Sequence, residues 1–142
     1  MSLLPNGLKE ILSNNIYLRE DKSKVFKAIK ELDVNPSKEF IEFYITYEGP
    51  FWEESLGIEL MDIIEDTNNI LKSTIICRDE YGFNKEYLVL TEMSANEVIV
   101  LNSKNDKVYR VNFEGGDELL NKEELKEEWN SFNDFLREYF MI

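Results

Sequence analysis

The stretch from Asn35 to Phe51 constrains this chain more than any other. Phe40, Phe43, Tyr44 and Tyr47 recur at i, i+3, i+4 and i+7, the spacing that puts four aromatic rings on one face of a helix. Asn35 is a candidate cap for that helix, and Pro36 suits the first helical position, where a missing N–H removes no bond. Gly49 is the expected stop, and Pro50 prevents continuation. A stripe of this period calls for a core that covers it, so the rings read as packing and not as a cofactor box.

The remaining elements follow from the same logic. Leu4, Leu8, Ile11 and Leu12 suggest a short helix over Pro5 to Asn14. A second helix is expected over Asp21 to Leu32, with Val25, Phe26, Ile29 and Leu32 inward and the lysines from Lys22 to Lys30 on its wet face. Phe51 to Ser55 reads as a loop, Leu56 to Ile63 as a strand, and Thr67 to Tyr81 as a helix stopped by Gly82. Three strands follow: Tyr87 to Thr91, Val98 to Asn102, and Lys107 to Phe113, with turn chemistry at Asn105-Asp106. Ser131 is placed to cap a closing helix whose Phe132, Phe135, Leu136 and Tyr139 face inward, with Trp129 packing that helix onto the sheet. This order predicts an α+β fold: a single domain with an antiparallel β-sheet and helices packed mainly on one face. The expected division is an N-terminal helical extension over residues 1–18 and the domain itself over 19–142.

Composition narrows the function classes. Among 142 residues, 29 are acidic and 16 are Lys or Arg, for a net charge of −13. Such a surface repels phosphate backbones and anionic lipid, so neither direct nucleic-acid binding nor a membrane is expected; a basic partner is what it attracts. There is no histidine, hence no Ser-His-Asp or Cys-His pair and no His-ligated metal. The lone cysteine, Cys77, permits neither an internal disulfide nor a thiolate cluster, and reads as a small buried residue on its helix. No Asp-x-Asp, G-x-S-x-G or P-loop motif is present, and the grouping of Asp62, Glu65 and Asp66 looks incidental. No catalytic residue, metal ligand or cofactor site is therefore assigned, and the chain is read as a non-enzyme. The N-terminus lacks a basic stretch followed by an apolar one, and the longest aliphatic run is only Val98 to Leu101, so the expected location is the cytoplasm.

Two stretches are candidate partner surfaces. From Glu114 to Glu128 the chain carries Glu114, Asp117, Glu118, Glu123, Glu124, Glu127 and Glu128 against two lysines. It is either a solvated face or a surface for a basic protein. Phe51-Trp52-Glu53-Glu54 is the other. Two adjacent large aromatics do not both point inward easily, so Trp52 is either an exposed anchor with Glu53 and Glu54 as an acidic rim, or a plug closing the end of the core.

Taken in order, these pieces resemble the SUKH superfamily. The Asn35-Pro36 to Phe51 motif is similar to that family's Pro-opened, Gly-ended helix, although Pro50 stands where a second glycine is frequent. Glu86-Tyr87-Leu88-Val89-Leu90 resembles its central strand, Val108-Tyr109-Arg110-Val111 its next strand, and Trp129 to Leu136 its Ser-Phe…Phe-Leu closing helix. The resemblance spans roughly residues 21 to 140 and transfers fold positions only. The superfamily includes the yeast cell-wall assembly regulator and many bacterial immunity proteins, which bind the C-terminal domain of a polymorphic or contact-dependent toxin, often a nuclease. The resemblance thus implies a bacterial, non-catalytic inhibitor whose partner is a cognate basic toxin domain. The alternative it leaves open is a regulatory or scaffold interaction module without a toxin.

Overall fold

The computed structural model describes residues 2–142. The first helix is a single turn, α1 (Leu8–Ile11). Gly7 opens it in the left-handed region, and Asn14 ends the expected run by accepting from the Ile16 N–H at 3.1 Å, which starts a 3-10 turn over Asn15–Tyr17. Leu8 and Leu12 are buried, while Ile11 is exposed.

Helix α2 (Ser23–Leu32) buries Val25, Ala28, Ile29 and Leu32 and leaves Phe26 52% exposed. One residue is about 100° of helix, so Phe26 sits a quarter-turn off the stripe that Val25 sets, and Ala28 takes the inward place instead. Asp33, left-handed at φ 57°, closes the helix.

Helix α3 (Lys38–Thr46) starts later than the sequence suggests. Ser37, not Asn35, is the cap: its hydroxyl accepts from the Phe40 N–H at 3.1 Å, and Pro36 lies in the lead-in. Tyr47, not Gly49, ends the helix by turning extended to pair with Leu18. Gly49 serves close approach: a Cβ there would meet the Phe51 ring at 2.8 Å. The last carbonyls of α3 are satisfied by cations, as the helix dipole favours. Arg19 Nε donates to Tyr44 O at 2.5 Å, and Lys22 Nζ donates to Ile45 O at 2.9 Å. Arg19 also forms a fully buried ion pair with Asp62, whose carboxylate accepts from the Gly49 N–H at 3.0 Å and the Ile64 N–H at 3.2 Å. Both oxygens of that buried charge thus have a donor, which is what its burial requires.

The expected loop after Pro50 is instead strand β1 (Phe51–Glu53), and the expected strand over Leu56 to Ile63 contracts to β2 (Ile58–Leu60). Gly57, at φ 63°, lets the chain reverse between them, and Trp52 falls opposite Glu59. A bridge from Leu60 to Thr91 joins this hairpin to a three-stranded antiparallel sheet of β3 (Tyr87–Val89), β4 (Glu97–Asn102) and β5 (Val108–Asn112). Between the two sheets runs α4 (Ile70–Tyr81). Asn69 caps it by accepting from the Lys72 N–H at 2.7 Å, so it starts after Thr67, and it ends at left-handed Gly82 as expected. Helix α5 (Gly116–Asn121) follows β5, and α6 (Phe132–Tyr139) closes the chain with Ser131 as its cap.

Helix α4 lies on β3, α5 on β5, and α3 against α6. The stripe of α3 is the centre of the core, with Phe43 5.2 Å from Phe51 and 5.7 Å from Phe132 between ring centroids. Trp129 extends the edge of β5 by pairing with Val108, and its ring packs edge-on against Phe135 at 5.1 Å, which fastens α6 to the sheet. Cys77 is buried, and burial pushes its thiol up to about 11, which makes it inert. Six helices and two small antiparallel sheets, among the described residues, make this an α+β fold.

Candidate partner-binding face

Alternation along β1 separates its side chains. Phe51 and Glu53 point to one face, and Trp52 points to the other. Phe51 is buried against Phe43 and Tyr17, while Trp52 is 59% exposed. The two readings of Trp52 are thereby resolved in geometry: it does not plug the core. The acids beside it differ from the expected rim. Glu53 lies on the opposite face of β1, and Glu54 is in the exposed turn that follows. The cross-strand neighbour of Trp52 is Glu59.

Glu59 in turn belongs to a group. Its carboxyl is held above the usual carboxylate range, first by burial and then by repulsion from Glu92 and Glu65. Asn68 donates to Glu92, but none of the three carboxylates forms an ion pair among the described residues. An exposed tryptophan beside uncompensated negative charge is a surface that gains from meeting a cation-bearing partner. The hairpin presenting it is rigid for a specific reason. The Tyr139 hydroxyl reaches between the two strands, accepting from the Leu60 N–H at 3.1 Å and lying 2.7 Å from Ile58 O and 3.0 Å from Phe51 O. Its single proton is shared between those two carbonyls. Burial pushes that phenol up to about 12, so it stays a donor at any physiological pH.

The second candidate stretch does not form one face. Only Asp117 and Glu118 lie on α5, in its first turn, with Glu114 in the turn before it. At Glu123 the chain turns left-handed, φ 60°, and leaves the helix, so Glu124 to Glu128 run as an irregular arm beside β5. Two of these acids are internally compensated. Glu127 pairs with Lys107 at 3.1 Å, which holds its carboxyl below the usual range, and Glu128 pairs with Arg110 at 3.6 Å. Arg110 also lies over the Trp129 ring at 5.7 Å. This arm is partly a strap for β5, whose free edge it covers.

Sequence reasoning named Glu65 only in an incidental grouping with Asp62 and Asp66 and did not associate it with Glu59 and Glu92, because a chain reversal and a loop bring the three together. The i, i+2 alternation of Phe51-Trp52-Glu53 was the one signal that could have separated Glu53 from Trp52. Among the described residues no three His, Cys, Asp or Glu side chains converge as a metal site, and no helix is long and apolar enough to cross a membrane.

The model of one protein family, SMI1/KNR4 (SUKH-1), matches residues 21–138. The chain belongs to this family. No curated protein matches it. The matched span runs from two residues before α2 to within α6, so it contains both candidate surfaces and excludes α1 and the 3-10 turn. Membership in SUKH-1 accounts for the order of the scaffold motifs.

Proposed function

We propose that this chain is a bacterial, cytoplasmic immunity protein that binds and neutralises a cognate toxin domain without catalysing a reaction. The observation that supports this reading is Trp52, 59% exposed on a rigid hairpin beside the unpaired acids Glu59, Glu65 and Glu92. Tryptophan is enriched among the residues that carry binding energy at interfaces, and an exposed one with acids beside it has the make-up of such an anchor. The acids around it select a basic partner. A toxin that acts on nucleic acid must itself be basic around its active site, so a nuclease domain fits the charge. In this reading residues 19–142 form the inhibitor domain and 1–18 an extension, with Glu54 at the rim of the contact and Glu53 on the far face of β1. Glu114, Asp117, Glu118, Glu123 and Glu124 then add long-range attraction more than contact, and Glu127 and Glu128 chiefly hold the β5 edge.

The test is co-expression with the C-terminal domain of a toxin encoded next to this chain. The expected result is rescue of growth and a one-to-one complex on purification that weakens as salt rises. Soluble expression of both chains without rescue or complex formation contradicts the proposal.

A further inference from the structure

Helix α4 turns isoleucine to solvent where a surface helix ordinarily carries polar residues. Ile76 is 50% exposed and Ile75 38%. Lys72 stands before them and Asp79 after them, both exposed. Counted from Lys72, the isoleucines fall at i+3 and i+4 and the aspartate at i+7, so all four share one face of the helix. Phe26, also half-exposed, extends this apolar strip onto α2. It lies about two turns before Asp33 and therefore on the same flank of α2. Asp33 pairs with Lys85, whose carbonyl accepts from Arg78 of α4 at 2.7 Å, so that flank is the one turned to α4.

The two charges of this face are placed at the wrong ends of their own helix. Lys72 lies in the first turn of α4 and Asp79 in the last, and the helix dipole disfavours both. Neither forms an ion pair among the described residues; the Lys72 ammonium reaches only the Asp66 carbonyl, at 3.3 Å. Lys72 and Asp79 are equally far from the midpoint of Ile75-Ile76, so reversing the helix about that point exchanges cation for acid. A two-fold axis performs that reversal: it lays a helix antiparallel on its own copy and pairs each residue with its opposite number twice. The surroundings permit the approach of a like-charged chain. Helices α2 and α4 together carry five Lys or Arg side chains and three acids, in a chain of net charge −13.

We propose that α4 docks on α4 of a second copy of this chain, antiparallel about a two-fold axis at Ile75-Ile76, with Lys72 facing Asp79 of the partner subunit on both sides of the axis. The stripe selects this occupant because it is complementary to its own antiparallel image. Helix α4 is about 18 Å long and two packed helices are about 20 Å across, so the face offers roughly 360 Å² a side. A standard interface takes about 800 Å² from each partner, so this contact is weak and forms at high protein concentration. It uses residues distinct from the Trp52 face, and its test needs no toxin domain, so each proposal can fail without the other.

The experiment is analytical ultracentrifugation of the full chain from about 10 μM to about 1 mM. The expected result is a monomer–dimer equilibrium within that range. Ile76→Ser should abolish it and leave the melting temperature within about 2 °C, because the side chain is half-exposed. Lys72→Glu and Asp79→Lys should each weaken association by about tenfold or more, since the symmetry repeats each new repulsion. Neither should lower the melting temperature, because each reverses a charge that the helix dipole disfavours. Combined, the two substitutions restore the pairs with their signs exchanged, and the dissociation constant should return to within about threefold of the parent's. A chain that stays monomeric throughout, leaving the face to a different protein, would overturn the proposal. So would a dimer indifferent to Ile76→Ser, or no recovery in the double variant.

Discussion

Removing one oxygen from Tyr139 tests how the Trp52 hairpin is held. Tyr139 is fully buried on α6, and its hydroxyl contacts three backbone groups of β1 and β2. In Tyr139→Phe the Leu60 N–H loses its acceptor, and the Ile58 and Phe51 carbonyls lose their shared donor. Leu60 is itself wholly buried, so water does not replace the oxygen without opening the hairpin. An unsatisfied buried group costs about 1–3 kcal/mol, and here one donor and one acceptor are orphaned, for roughly 2–4 kcal/mol after local relaxation. At about 2–4 °C per kcal/mol for a domain of this size, the melting temperature should fall by roughly 4–16 °C. The cost is local, so hydrogen exchange reports it best: the Leu60 amide should lose protection more than amides of β4, such as Val100. A melting temperature within about 1 °C of the parent, with Leu60 protection unchanged, would refute the assigned role of this hydroxyl.

Three further outcomes follow from the same geometry. Asp62→Ala leaves buried Arg19 with only half-exposed Glu48, 3.5 Å away, as a counter-charge and should cost up to about 3–5 kcal/mol, whereas Arg19→Met combined with Asp62→Leu should recover most of it; urea unfolding that finds the double variant as weak as the single one speaks against the pair's arrangement. Because Glu59 holds its proton more tightly folded than unfolded, its contribution to stability is complete below the unfolded pKa and is lost as pH rises through the folded value. Glu59→Gln should therefore raise the melting temperature at about pH 7 and leave it unchanged at about pH 3.5, below the ordinary glutamate value, and an equal effect at both would remove the cluster from the explanation. Reversing Glu54 and Glu59 to Lys should slow association with a basic partner more than reversing Glu123 and Glu124; stopped-flow rates in the opposite order would move the contact to the arm beside β5.

Periodic burial was legible in the sequence because one number governs it. The stripe of α3 and that of α6 were readable since rings three and four residues apart have one helical outcome. Phe26 shows the limit: a quarter-turn separates it from a buried position, and tertiary packing chose Ala28. Strand β1 was hidden because three residues show no repeat, and its partner β2 is fixed by a turn at Gly57. Arg19 and Asp62 stand 43 residues apart and share no local pattern, so nothing linear marks them as a pair. The same holds for the candidate site. Trp52 and Glu54 were visible as residue types, but the acids that accompany Trp52 come from a cross-strand position and from loops. Glu127 and Glu128 looked free in the sequence because their partners are Lys107, just before β5, and Arg110, on it, far back along the chain.

The central claim is that Trp52 serves a partner and not the core. Calorimetric titration of Trp52→Ala against the cognate toxin domain, paired with a thermal melt of the same variant, tests it most directly. As a hot-spot anchor the residue should cost about 2–4 kcal/mol of binding, a loss of roughly 30- to 1,000-fold in affinity, while the melting temperature stays within about 2 °C. Parent-like affinity, or a loss of affinity that tracks a large fall in melting temperature, would contradict it.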